Sequence, residues 1–232
     1  MMKKSDLTAL IILLLFFIPF FISDGLYRFY SEFNSGHAYI TSFIKFAVLA
    51  TYGEVLGLRI RTGEYKLSGF GLLPRAIVWG FLGIAIKAAF TIFSAGAPAI
   101  LGYLGMENPV EVLAGPVSAG KFLIAFSISL SLNLVFSPVL MTLHRITDSH
   151  IAFHNGSLSS LVHPIETGKI LSSIDWRMHW GFVLKKTIPL FWIPAHTLTF
   201  LLPVDFQILF AAFLGVVLGV ILAFAAGSKS AK

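Results

Sequence analysis

The chain contains no cysteine and few charged residues. Of its 232 residues, 12% are charged and 56% are hydrophobic, whereas a soluble domain has roughly a quarter charged residues. The absence of cysteine excludes disulfides, thiolate nucleophiles, iron–sulfur clusters and cysteine-ligated zinc. The chain has too few polar residues to cover the surface of a soluble globule of this size, and its mean hydropathy is +0.85. The composition therefore indicates an integral membrane protein.

The sequence motifs of common enzyme classes are also absent. There is no H-E-x-x-H zinc motif and no glycine-rich phosphate loop. We therefore predict no catalytic residues, no metal site, no cofactor and no enzymatic activity. The net charge of +6 does not indicate nucleic acid, since membrane proteins keep Lys and Arg on one side of the bilayer. The expected partners are the lipid bilayer, small solutes or ions, and a second copy of the chain in a homo-oligomer.

Long apolar runs predict an all-α, polytopic transmembrane bundle that forms a single integral membrane domain over residues 1–232. A bilayer core requires about 20 apolar helical residues. The predicted spans are 7–22, 39–58, 76–97, 122–143 and 206–226. The run 7–22 fits either a cleaved signal peptide or a retained helix. Its length and the lack of a small-residue cleavage site favour an extra N-terminal span.

The last apolar stretch, 188–226, is too long for one span and is interrupted at Pro203. Proline lacks a backbone donor and disfavours helical geometry in the residue before it. Segment 188–202 would be roughly 22 Å long as a helix, which is too short for a full crossing. We predict a hairpin with a short, broken or re-entrant limb before the last span. A single crossing is the alternative.

Basic residues concentrate in two of the predicted loops, 59–75 and 145–186. The positive-inside rule places both loops and the N-terminus on the inside. Loop 145–186 is mildly amphipathic, which indicates an inside loop with helices at the membrane surface.

Four polar residues fall within or beside the predicted spans: Glu54, Lys87, Asn133 and His196. A charged group at mid-bilayer costs about 2.5–3.5 kcal/mol or more, so such residues are functional candidates. One interpretation is that they line a polar pore or cavity. The other is that they only hold helices together. By depth, we expect Lys87 to pair with Asn133, and Glu54 to reach that pair through water or a helix tilt.

Two sequence segments resemble the Mpv-seventeen / PMP-twenty-two family of small multi-span membrane proteins. One is Gly53-Glu54 at the end of a span. The other runs from Trp192 through Pro194, Phe200, Pro203, Phe206 and Gln207. Segments 26–30 and 83–90, and Asn133 with Pro138, are also similar to the family, so the resemblance covers residues 26–224. It indicates a distant, prokaryotic member with 7–22 as an extra span, and it implies the inner (plasma) membrane of a prokaryote, or an organelle membrane if the source is eukaryotic. It implies a weakly selective channel or a small-solute permeability role, with a structural or accessory membrane protein as the alternative.

Overall fold

The computed structural model describes residues 6–7, 11, 18 and 22–227, and all regular structure in these residues is helical. Most of the predicted span 7–22 therefore lies outside the described residues. The α-helices are α1 (Asp24–Gly36), α2 (Ala38–Thr62), α3 (Leu72–Tyr103), α4 (Pro109–Ala114), α5 (Ala119–Phe153), α6 (Thr167–Ser173), α7 (Trp176–Met178), α8 (Ile193–Leu201) and α9 (Val204–Gly227). A 3₁₀ turn occupies Leu158–Leu161, and a π-helix, His179–Trp192, continues directly into α8.

Among the residues that the structure describes, three helices are long and apolar enough to cross a bilayer: α3, α5 and the segment Val204–Ile221 of α9. This is consistent with an integral membrane protein. Helix α2 has 25 residues, but charged side chains interrupt its apolar sequence. The π-helix and α8 form one continuous helical segment, of which the first part is a π-helix and the second an α-helix. We call this segment the α8 limb.

The long helices form a closed ring. Helix α9 packs against α2, α2 against α3, α3 against α5, and α5 against the α8 limb, which in turn contacts α9. Helices α2 and α9 run parallel and approach most closely where Gly53 faces Val216 and Gly57 faces Gly219. Because no side chain separates the backbones at these glycines, the two helices pack in direct contact.

Local sequence accounts for the ends of these helices. Ser118 caps α5 by accepting a hydrogen bond from the backbone N–H of Lys121 at 3.1 Å. Helix α2 ends at Gly63, which has the positive φ of 78° that glycine tolerates best. Asn155 and Gly156, with φ of 50° and 69°, follow the end of α5 and turn the chain back towards the α2–α3 connection, where Gly156 packs on Gly71.

The structure corrects two predicted boundaries. Helix α5 continues to residue 153 and the α8 limb begins at residue 179, so the connection between them covers 154–178 rather than 145–186. The limb before Pro203 is also not short, because it is helical from 179 to 201. Apolar runs underestimate both lengths because these helices continue through polar residues. In α5, His144 and Asp148 have partners inside the bundle, whereas Lys185 and Lys186 of the α8 limb are exposed.

The break at Pro203 is confirmed. Leu202 has extended geometry, with φ of −75° and ψ of 156°, and α9 starts at the next residue after the proline. At the opposite end of the bundle, Arg59 Nε and Nη2 donate to the two carboxylate oxygens of Asp6 at 2.7 Å each. Asp6 therefore lies at the same end as the α2–α3 connection.

Candidate functional site

A charged cluster joins three helices at the end of the bundle where α2 and α5 finish and α3 begins. We call Glu54, Arg75, Trp79, His144 and Asp148 the Glu54 cluster. Glu54 Oε1 accepts from Trp79 Nε1 at 2.7 Å and lies 2.9 Å from His144 Nε2. Arg75 Nη1 donates to Glu54 Oε2 at 2.8 Å and to Asp148 Oδ1 at 2.5 Å.

The cluster is partly buried and its charged groups are paired with one another. The side chains of Glu54, Arg75 and Asp148 are 18%, 12% and 19% exposed. One guanidinium thus lies between two carboxylates, and the His144 ring stacks near the Trp79 ring, with centroids 4.3 Å apart. Because the partners come from α2, α3 and α5, the cluster fixes the relative positions of three helix ends.

Three members of the cluster have the spacing of metal ligands. Ligand atoms of Glu54, His144 and Asp148 all lie within 4.8 Å of one another. Arg75, however, donates to both carboxylates from between them, so a cationic group already occupies the place that a metal ion would take. The arginine therefore accounts for the close approach of the two carboxylates.

A second polar cluster lies deeper, between α5 and the α8 limb. Asn133 is fully buried; its Nδ2 donates to Ser129 O at 2.8 Å and lies 3.1 Å from His196 Nδ1. Its Oδ1 accepts from Ser137 Oγ at 2.9 Å. Ser129 Oγ also donates to Ile193 O across the helix interface at 2.7 Å. These bonds hold α8 against α5.

Both clusters adjoin one cavity of about 580 Å³ in the centre of the helix ring, which we call the Glu54 cavity. Glu54, Arg75, His144 and Asp148 line its charged end, and His196 lines it at depth. Asn133 stands one hydrogen bond behind His196. Most of the remaining wall is apolar and comes from α2, α3, α5, the α8 limb and α9. The cavity is thus a polar-ended space inside an apolar bundle.

Lys87 lies in a different cavity, which corrects the expected chain Lys87–Asn133–Glu54. It lines a space of about 210 Å³ together with Asn34, Lys45 and Asp205, which we call the Lys87 cavity. The hydrogen bonds of Asn133 go to α5 and α8, and those of Glu54 go to α3 and α5. Lys87, Asn133 and Glu54 were expected to meet because their positions within the predicted spans suggest similar depths in the membrane. In the structure, however, Lys87 points to a different part of the bundle from Asn133 and Glu54.

The residues of the family-like segments have mainly structural positions. Gly53 allows the close approach to α9. The Trp192 ring lies 5.1 Å from the His196 ring, and Phe200 is 2% exposed in the core. Pro194 lies in the first turn of α8, Pro203 separates α8 from α9, and Phe206 is partly exposed beyond the break. Gln207 Nε2 donates to Leu202 O at 3.0 Å and so stabilises the break.

Four members of the Glu54 cluster were not predicted as site residues: Arg75, Trp79, His144 and Asp148. A signal was present, since Arg75 and Trp79 are four residues apart, as are His144 and Asp148. Residues four apart share one helix face. Both pairs stand where an apolar run meets a basic loop, and they were counted only as loop charges or left unassigned.

Comparison of the chain with protein-family models, with characterised proteins and with solved structures gave no match. The two cavities and the side chains around them are therefore the basis for assigning a function.

Proposed function

We propose that this chain is a channel-like integral membrane protein with a path for small solutes, which is closed in the present conformation. One observation carries the proposal: two cavities, each with charged residues in its lining, adjoin the same three helices, α2, α3 and α9. The Lys87 cavity is lined by Lys45, Lys87 and Ile208 of these helices. The Glu54 cavity is lined by residues that lie one to three positions away on the same helices, among them Phe46, Ile86 and Ala211.

An apolar plug separates the two cavities. It consists of Phe46, Ile86, Phe90, Ile208 and Ala211, each at most 7% exposed and all in one core cluster. Lys45 is next to Phe46 in sequence, and Lys87 is next to Ile86. Because consecutive helical residues are about 1.5 Å apart along the axis, the two cavities come close to each other at this level of α2 and α3. Hydrophobic constrictions of this kind gate channels by excluding water.

The proposed path requires more crossings than the three apolar helices alone. We propose that α2 and the α8 limb also cross the bilayer, which gives five spans within 22–227. Their polar residues support this, because Glu54 and His196 have partners on other helices of the ring, and Lys45 has a partner on α1. With the basic loops inside, the N-terminus and the end of α9 are inside as well. We also propose that the chain is a distant relative of the Mpv-seventeen / PMP-twenty-two family and that it lies in the inner membrane of a prokaryote.

A structural or accessory role is the second candidate, and the Glu54 cluster is the observation that favours it. Its charges are paired with one another, as expected if polar residues only hold helices together. This candidate predicts no solute flux from any variant that remains folded.

Substituting the plug distinguishes the two roles. We expect Ile86→Ser to raise the flux of small ions or dyes from liposomes by about tenfold or more, as a barrier lower by about 1.4 kcal/mol would give. The serine hydroxyl lets water enter the constriction. The matched control is Ile92→Ser on the same helix, where the side chain is 65% exposed.

Folding is monitored by thermal melting of each variant, because truncating a buried Ile costs about 2–5 kcal/mol. Ile86→Thr, which retains a branched side chain, is the milder second variant. Equal flux from wild type, folded Ile86→Ser, folded Ile86→Thr and Ile92→Ser would contradict the channel proposal and favour the structural role.

A further inference from the structure

The Lys87 cavity gathers positive charge with little to balance it. Lys45 is only 8% exposed, and its Nζ donates to the neutral Asn34 Oδ1 at 2.6 Å and lies 5.3 Å from the centre of the Tyr30 ring. Among the residues that the structure describes, neither Lys45 nor Lys87 forms an ion pair with a carboxylate. Two ammonium groups therefore line one small space without a paired anion.

The carboxylate of Asp205 compensates only part of this charge. Asp205 lines the cavity and acts on Lys45 electrostatically, as does Lys87 with the opposite sign. Asp205 is itself exposed at the first turn of α9. By count, two positive charges face one negative charge, so the cavity has an excess of one positive charge.

The orientation of Asn34 adds a neutral donor. Its Oδ1 accepts from both Lys45 Nζ and Thr41 Oγ1, at 2.6 and 2.9 Å. Its amide N–H₂ group is therefore on the other side of the same side chain, and it donates to no other described residue. The cavity of about 210 Å³ thus combines two ammonium groups with an amide donor, the groups that bind an anion.

We infer that the Lys87 cavity is a binding site for a small inorganic anion, with Lys45, Lys87 and Asn34 as its donors. The anion offsets the repulsion between the two lysines and satisfies Lys87, which lies where an unpaired charge is costly. The inference that this site binds an anion depends only on the cavity and its lining, and not on the proposed channel function. Its consequence for transport, a preference for anions over cations, rests on the proposed function, since pores lined by Lys and Arg favour anions.

Anion binding is tested on the purified chain in detergent by thermal melting at constant ionic strength. Potassium gluconate, whose anion is much larger than chloride or phosphate, is replaced stepwise by potassium chloride or phosphate. Because a ligand that binds only the folded state stabilises it, we expect Tm to rise by about 3–5 °C for each tenfold increase above Kd.

The variants locate the effect. Lys87→Met should lose most of the rise in Tm, whereas Lys87→Arg should keep it. Lys121→Met is the matched control, because Lys121 donates to the carbonyl of Gly115 outside the cavity and should respond as wild type does. A wild type that melts equally in all three salts, or a Lys87→Met variant with the full rise, would overturn the site.

Reversal potentials across a KCl gradient test the consequence for transport in the Ile86→Ser variant. We expect chloride to be more permeant than potassium, and Lys87→Met to reduce that preference. Conduction with a preference for potassium would overturn the anion preference but leave the channel proposal intact. Failure of folded Ile86→Ser to conduct would contradict the channel proposal, while the melting result would still decide the site.

Discussion

Replacing Arg75 with Met should lower the free energy of unfolding by about 3–5 kcal/mol, the usual cost of removing one partner from a buried ion pair. The substitution leaves Glu54 and Asp148 facing each other without the guanidinium that now donates to both. It also removes the hydrogen bond from Arg75 Nε to Phe70 O at 2.7 Å. Chemical or thermal unfolding in detergent measures the loss.

The matched controls separate the loss of charge balance from the loss of a long side chain. Arg145→Met, on an exposed residue at the same end of the bundle, should have little effect. The triple variant Arg75→Met, Glu54→Gln, Asp148→Asn should be more stable than Arg75→Met alone, because no unpaired buried charge remains. A triple variant less stable than the single one would show that the cluster does not act through charge compensation.

Gly53→Ala should destabilise the fold by about 1–3 kcal/mol, as overpacking does in well-packed interiors. A Cβ at this position would lie 2.9 Å from Val216 Cα and 3.3 Å from Val216 N. Both contacts are with backbone, so no side-chain rotation relieves them. Helices α2 and α9 would have to separate along the wall of the Glu54 cavity.

The control for this substitution is Gly215→Ala on α9, where an added Cβ meets no atom within 4 Å. Alanine has a helix propensity up to about 1 kcal/mol better than glycine. Gly215→Ala should therefore leave stability unchanged or improve it. If Gly53→Ala also melts at or above the wild-type temperature, the close contact between α2 and α9 is wrong.

The sequence was sufficient to predict an all-helical, membrane-type fold and the break at Pro203. Both depend on local properties, namely the length of apolar runs and the missing N–H of proline. Helix ends were predicted too early. Helix α5 extends past His144 and Asp148 because these residues find partners in Glu54 and Arg75, which a count of apolar residues does not include.

The arrangement of the site was less predictable than its composition. Glu54 and His196 line one cavity, Asn133 lies one hydrogen bond behind His196, and Lys87 lines another cavity. Pairing Lys87 with Asn133 used depth alone, whereas the direction of a side chain changes by about 100° with each helical residue. Which residues meet across a bundle therefore depends on how each helix is rotated, and packing of all the helices decides that rotation.

The most direct test of the closed path is to determine from which side of the membrane a water-soluble reagent reaches each cavity. The chain has no cysteine, so Ser42→Cys in the Lys87 cavity and Ser137→Cys in the Glu54 cavity each introduce a single thiol. Reference thiols come from Glu107→Cys, in the α3–α4 connection, and Lys66→Cys, in the α2–α3 connection. An impermeant thiol reagent is applied to either side of sealed vesicles.

The account predicts that Ser42→Cys reacts from the same side as Glu107→Cys, and that Ser137→Cys reacts from the side of Lys66→Cys. Adding Ile86→Ser should make Ser137→Cys reactive from both sides. Reaction of Ser42→Cys and Ser137→Cys from one shared side, or no reaction of either while the reference thiols react, would contradict a path that the plug closes.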